Sequence, residues 1–333
     1  MSLRRALRAS AVALWALAGW LAVAQAGVPF GIGQGQQGAA AGTAFSPASL
    51  SAAVAWWDGS TFTTDGSTKD GSNNVTRWED KIGSYDLTVV NATPLWVDNA
   101  VNGLDAVDFE AGDVDHLAVD SAPPSKPFVF YVVAQLESTG AAVMAYAGDK
   151  DVNNQHLDEL MCTTGPIGRV DSFDTSVSGS NHGTTLSTAT TYLFKGAFLA
   201  SNSRTINVDD LTPVNGTASK VVSGPDRVAL GGRFDSTPAS AQAWDGYICE
   251  AVLTNADLSG ADEELLETYL DGKWAIPGIT SAPPVSGPRF PPLPPIFFGA
   301  GCACALLAMR RPRAPRRGDV LKFPVPASAR RVA

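Results

Sequence analysis

Two acidic clusters are the residues of this chain whose types and spacing come nearest to chemistry. Asp108-Phe109-Glu110 runs into Asp113-Val114-Asp115, and His156-Leu157-Asp158-Glu159-Leu160 carries two adjacent acids. Breaking a glycosidic bond needs one protonated and one ionised carboxyl flanking it, and strand alternation puts such a pair on one face only at even spacing. Ala111-Gly112 interrupts the first cluster as a turn would. Asp158 and Glu159, being adjacent, point to opposite faces of a strand. Neither cluster fits the requirement. The three histidines, His116, His156 and His182, are scattered, and no Gly-x-Ser-x-Gly elbow, Walker A loop or dinucleotide-binding fingerprint accompanies them. The chain reads as a non-enzyme.

Three further groups bear on binding. Asp149, Asp151 and Asn153 set oxygen donors at alternate positions of a loop, the kind of ligand a hard cation such as calcium takes. Asn154 stands where a calcium-loop glycine would be, and no closing glutamate follows, so a solvated turn is the competing reading. Six of the eight tryptophans lie beyond residues 1–26; most suit core packing, and Trp57, Trp78 or Trp96 at an exposed rim would be the place for a sugar ring to stack. Cys162 and Cys249 fall within one domain; in an oxidising compartment they suggest a disulfide, the alternative being two buried thiols.

The elements that must position these residues are mainly strands. Phe128–Ala134 is a β-rich run opened by Pro127. Thr191–Leu199, Arg204–Asp209 and Val228–Leu230 follow, separated by turn residues at fairly regular spacing, a pattern of sandwiches rather than of alternating helix and strand. A strand opening at Asp245-Gly246 alternates Tyr247, Cys249, Ala251 and Leu253 against Ile248, Glu250 and Val252. Ser259 then caps a helix with Asp262 in its first turn and an apolar face of Leu265, Leu266, Tyr269 and Leu270.

The ends differ in kind. Arg4, Arg5 and Arg8, an apolar run over 9–23 and Ala24-Gln25-Ala26 make a signal peptide over 1–26, so the chain is expected to be secreted or at the cell surface, and bacterial. A flexible Gly-rich leader covers 27–49. A Pro-rich linker over 277–295 leads to an uncharged apolar segment, 296–309, and a basic tail, 310–333. That order is a stop-transfer or sorting pattern, which makes a membrane the expected partner of the segment, although it is short for a span. Of 24 Lys+Arg and 33 Asp+Glu, three basic residues precede Gly27, and eight basic and one acidic residue follow Met309; 13 against 32 remain between them, a net of −19. So acidic a body excludes nucleic acid as a partner.

Several stretches together carry a family resemblance. They are Ala55-Trp56-Trp57-Asp58-Gly59, Val75–Lys81, Asn102–Glu110, Asp115-His116-Leu117, and the strand–turn–strand–helix ending Arg227–Ile276. Residues 50–276 resemble the concanavalin A-like, LamG-type jelly-roll domains. The resemblance implies an all-β, two-sheet antiparallel jelly-roll sandwich with one short C-terminal helix, and a carbohydrate or cell-surface ligand, as in adhesion. It also implies a calcium site at a sandwich edge in many relatives. The fold carries lectins, adhesion modules, glycosidases and virion proteins alike. A phage virion or envelope structural protein is the alternative, opposed by the signal peptide. A glycoside hydrolase or lyase is third, because glycosidases of this fold often space their acids Glu-x-Asp-x-(x)-Glu along one strand, a spacing absent here.

Overall fold

The computed structural model describes residues 45–279 apart from 141, 150–156, 175, 200–202, 210–211, 218–224 and 234–241. The signal peptide, most of the leader, nearly all of the Pro-rich linker, the apolar segment and the basic tail lie outside these residues, as do Asp151 and Asn153. Within them are seventeen strands and one α-helix. The strands are β1 (Ala53–Asp58), β2 (Thr68–Lys69), β3 (Val75–Trp78), β4 (Leu87–Val89), β5 (Leu95–Val101) and β6 (Leu104–Phe109). Then come β7 (Leu117–Val119), β8 (Phe128–Leu136), β9 (Ala142–Gly148), β10 (Leu157–Cys162), β11 (Ile167–Asp174) and β12 (Ser176–Thr185). The last are β13 (Thr191–Phe198), β14 (Ser203–Val208), β15 (Val214–Thr217), β16 (Arg227–Leu230) and β17 (Gly246–Thr254), followed by the helix α1 (Gly260–Trp274).

The named strands pair antiparallel in two sheets. One has eight strands in the order β15-β14-β13-β8-β17-β6-β5, with β1 also on β17; the other has nine, in the order β12-β11-β10-β9-β16-β7-β4-β3-β2. This is the expected all-β, two-sheet architecture. No described helix is long and apolar enough to cross a membrane.

β8 explains why the eight-stranded sheet reads as a continuous apolar run. Phe128, Phe130, Val132 and Ala134 face the core between the sheets, while Val129, Tyr131 and Val133 face the cluster under α1. A strand covered on both sides has no polar face to show. Ser259 caps α1 by accepting from the Asp262 amide at 3.3 Å. Leu266, Leu270 and Trp274, four residues apart, form the buried stripe, whereas Leu265 is half exposed and lies outside the face assigned to it from sequence.

Two sequence expectations fail at β17. A register shift between Ile248 and Glu250 breaks the alternation, so Cys249 and Glu250 both lie on the helix side of the sheet. Cys162 faces the core between the sheets. The two thiols are therefore on opposite faces of the eight-stranded sheet, and both are free and buried rather than bridged. Burial pushes Cys162 up to about 12.

Glu250 anchors the helix end. Its Oε1 accepts from Trp56 Nε1 at 2.7 Å, and its Oε2 accepts from Trp274 Nε1 at 2.7 Å and Lys273 Nζ at 2.8 Å. Lys273 also reaches Asp58 Oδ1 at 2.6 Å. Burial, with Asp58 beside it, raises the Glu250 carboxyl. Burial opposes ionisation of Asp58 too, but Lys273, Ser60 and Lys81 outweigh it and hold that carboxyl low.

Candidate functional site

Alternation along β10 separates its two acids, as the sequence requires. Leu160 and Cys162 face the core, and Asp158 shares their side, where it binds Lys126 Nζ at 3.0 Å and Ser172 Oγ. Glu159 and Met161 face the opposite, outer side of the nine-stranded sheet. Directly across from Glu159 sit Asp171 on β11 and Tyr146 on β9. Glu159 and Asp171 are thus neighbours on one face, though they come from different strands.

Around this pair lies a groove of about 220 Å³. Glu159, Met161, Arg169 and Asp171 form its floor, Thr163 and Thr164 one rim, and Arg233 and Gln242, from the segment between β16 and β17, the wall. Arg169 Nε donates to Asp171 Oδ1 at 2.6 Å. Arg233 holds Glu159 loosely, its Nη1 lying 3.4 Å and 3.5 Å from the two carboxylate oxygens. Gly179 on β12 makes room for the Arg169–Asp171 pair: a Cβ there would stand 2.0 Å from Asp171 Oδ1 and 2.3 Å from Arg169 Nε.

The exposures grade in a definite order. The side chains of Glu159 and Asp171 are 2% and 4% exposed, Arg233 12% and Arg169 26%. The carboxylates are the bed, and the guanidinium groups lie above them. Burial pushes the Glu159 carboxyl up to about 7; Arg233 and, less, Arg169 pull the other way, and Asp171 adds to the rise. Two buried atoms of the wall have no hydrogen-bond partner among the described residues: Arg233 Nε, a donor, and Gln242 Oε1, an acceptor.

The aromatic candidates fare differently. Trp57 and Trp78 are wholly buried in the core between the sheets, so neither ring is open to a sugar. Trp96 is half-buried against the same core, with Lys69 Nζ 3.8 Å from its ring centroid and capping one face. Hydrophobic burial explains Trp57 and Trp78. Of the loop donors, Asp149 alone is described, half-buried at the end of β9.

The first acidic cluster does turn at 111–114. Its Asp108 and Glu110 meet Glu137 from beyond β8, with ligand oxygens within 4.8 Å of one another. Among the described residues this is the carboxylate group dense enough for a hard cation. Asp115 caps it by accepting from the Glu110 amide at 3.1 Å. His116, fully buried nearby, is pushed down to about 4 by burial and is neutral at pH 7.

No family model matches this chain, and neither does any curated protein. Solved structures give distant likenesses. Domain 4 of AbnA, a GH43 extracellular arabinanase from Geobacillus stearothermophilus in complex with arabinotriose, is 13% identical over 63% of this chain and 96% of that one, with a TM-score of 0.47. The Ruminococcus gnavus IT-sialidase CBM40 bound to alpha2,3 sialyllactose is 11% identical over 42% and 80%, at 0.37. Trypanosoma rangeli sialidase in complex with sialic acid is 15% identical over 68% of this chain and 34% of its own, at 0.42. Carbohydrate-binding modules and glycosidase chains thus both occur among the similar structures. The likenesses are too slight to carry a functional argument.

Proposed function

We propose that this chain is a secreted or cell-surface binding module that recognises a saccharide on the outer face of the nine-stranded sheet, at Glu159, Arg169, Asp171, Arg233 and Gln242. One observation carries the reading: Arg233 Nε and Gln242 Oε1, a buried donor and a buried acceptor without partners among the described residues, line the same groove. Buried polar atoms are costly unless they are paired. A sugar hydroxyl both donates and accepts, so neighbouring hydroxyls on one ring supply what both atoms lack. Concave sites with a few convergent polar groups are the usual form of small-ligand pockets. The signal peptide and the apolar segment at 296–309 support display outside the cell, anchored at the membrane.

A glycan array probed with the whole chain tests this. Binding to at least one saccharide is expected, with loss on Arg233→Ala. Retention of no glycan, or binding indifferent to Arg233→Ala, would overturn it.

A second reading is favoured by the Glu159–Asp171 pair. One carboxyl that keeps its proton to about pH 7 beside another is the raw material of acid catalysis. Their small exposure speaks for the binding role, because a general acid must reach the bond it protonates. Saccharide hydrolysis that disappears in Glu159→Gln would establish the enzyme instead.

A further inference from the structure

We propose that the groove takes the carboxylate of an acidic saccharide on the guanidinium groups of Arg169 and Arg233. The inference rests on the saccharide reading above and names the chemical class of the ligand.

A ligand entering the groove would meet the arginines before the acids. The acids are the most enclosed side chains there, and the two arginines lie nearer solvent. Thr163 and Thr164 add hydroxyls on the rim. The groups within reach are mostly donors, and they suit a ligand rich in acceptors. Arg233 is also poorly satisfied. Its contacts to Glu159 are long, at 3.4 Å and 3.5 Å, and its Nε is buried without a partner among the described residues. A carboxylate offers two oxygens at the spacing of the guanidinium fork, a planar match that a lone hydroxyl does not give. Gln242 Oε1 is left to accept from a hydroxyl of the same sugar.

Charge bookkeeping within the groove agrees. Arg169 is matched by Asp171 at 2.6 Å. Arg233 is matched by Glu159 only while that acid is ionised. The groups facing Glu159 are Arg169 and Asp171 from β11, Tyr146 from β9, and Arg233. Of these, Tyr146 is already engaged by Arg227, which also holds Asp120. An incoming carboxylate would repel an ionised Glu159 and be tolerated by a neutral one. With Glu159 pushed up to about 7, the groove holds it half-protonated near neutrality. Ligand binding then raises that value further and takes up a proton. The affinity is flat below pH 7 and falls as pH rises above it.

Isothermal titration calorimetry with the full chain tests the proposal. The probes are polygalacturonate, alginate and hyaluronan, each beside its carboxyl-reduced counterpart. At least one acidic polymer should bind, with its reduced form weaker by about tenfold or more. Arg233→Gln and Arg169→Gln should each weaken binding by a similar factor, with the fold verified by an unchanged circular dichroism spectrum at the assay temperature. Two variants are used so that one unstable protein does not decide the matter. Glu159→Gln, which mimics the protonated carboxyl, should keep the binding and lose its decline above pH 7. Equal binding of acidic and reduced forms would overturn the carboxylate inference and leave the saccharide reading standing, as would binding of neutral array glycans with none of the three acids. Wild-type affinity in both arginine variants would also overturn it. No binding of any glycan, acidic or neutral, would remove both.

Discussion

At the scale of residues, the groove separates side chains that hold from side chains that are held. Gly179 does neither, yet it sets the geometry, because the Arg169–Asp171 pair lies where its Cβ would be. Gly179→Ala should push that pair, two flexible side-chain ends, off the strand at little cost in melting temperature while weakening glycan binding about tenfold or more. A large drop in melting temperature with binding intact would contradict this. Glu159 gives a prediction of its own. Its carboxyl ordinarily titrates near 4.5 and is pushed up to about 7 in the folded chain. Between those values the folded protein keeps a proton that the unfolded chain releases, so this group's contribution to stability falls as pH rises through that window. Glu159→Gln should therefore lose less melting temperature than wild type between pH 5 and pH 8; parallel curves would show that the acid does not titrate there. The sequence made part of this legible. Adjacent Asp158 and Glu159 do point to opposite faces, as alternation demands. The partners of Glu159 were not legible, since Asp171 reaches it through strand register and Arg233 through a segment more than seventy positions away in sequence. Trp57 and Trp78 misled because a ring's type is visible in sequence while its exposure is not.

At the scale of elements, α1 behaves as a lid fixed at both ends. Ser259 starts it, and Lys273 and Trp274 tie its last turn to Glu250 and Asp58. Leu266→Asp should destabilise the protein by about 2–5 kcal/mol, through lost burial and an unpaired charge in the cluster under the helix. Lys273→Met should cost about 3–5 kcal/mol, because it leaves Asp58 and Glu250 buried without their shared cation. Chemical denaturation measures both. If the deficit of Lys273→Met survives unchanged when Asp58→Asn and Glu250→Gln are added, the cost was packing and not charge. The helix and its cap were readable because they depend on residues three and four apart. The bulge in β17 was not, because nothing in Gly246–Thr254 marks where the ladder slips. The disulfide expected from Cys162 and Cys249 does not form because Cys162 faces the core between the sheets while Cys249 faces the helix side.

At the scale of the whole molecule, the two-sheet architecture was legible from apolar runs and turns, which report burial directly, whereas the groove depends on how the sheet lays distant segments side by side. Charge is the other property of the whole. The stretch between Gly27 and Met309 carries 13 basic and 32 acidic residues, so its folded part compresses like charges that unfolding would spread apart. Salt shortens the reach of that repulsion to about 8 Å at physiological ionic strength. Exposed pairs such as Arg77–Asp86, whose partners are 38% and 37% exposed, lose little in exchange, because such pairs contribute little to begin with. The enclosed Lys273–Glu250 contact is screened less than either. Sodium chloride between about 0.01 M and 0.3 M should therefore raise the melting temperature. The same salt should weaken a carboxylate ligand at Arg169 and Arg233, where attraction between opposite charges reaches into solvent. Stability rising while affinity falls, in one buffer series, is what repulsion over the whole body and attraction at one groove predict together. A melting temperature that falls with salt would mean that ion pairs, not net charge, dominate the folded state.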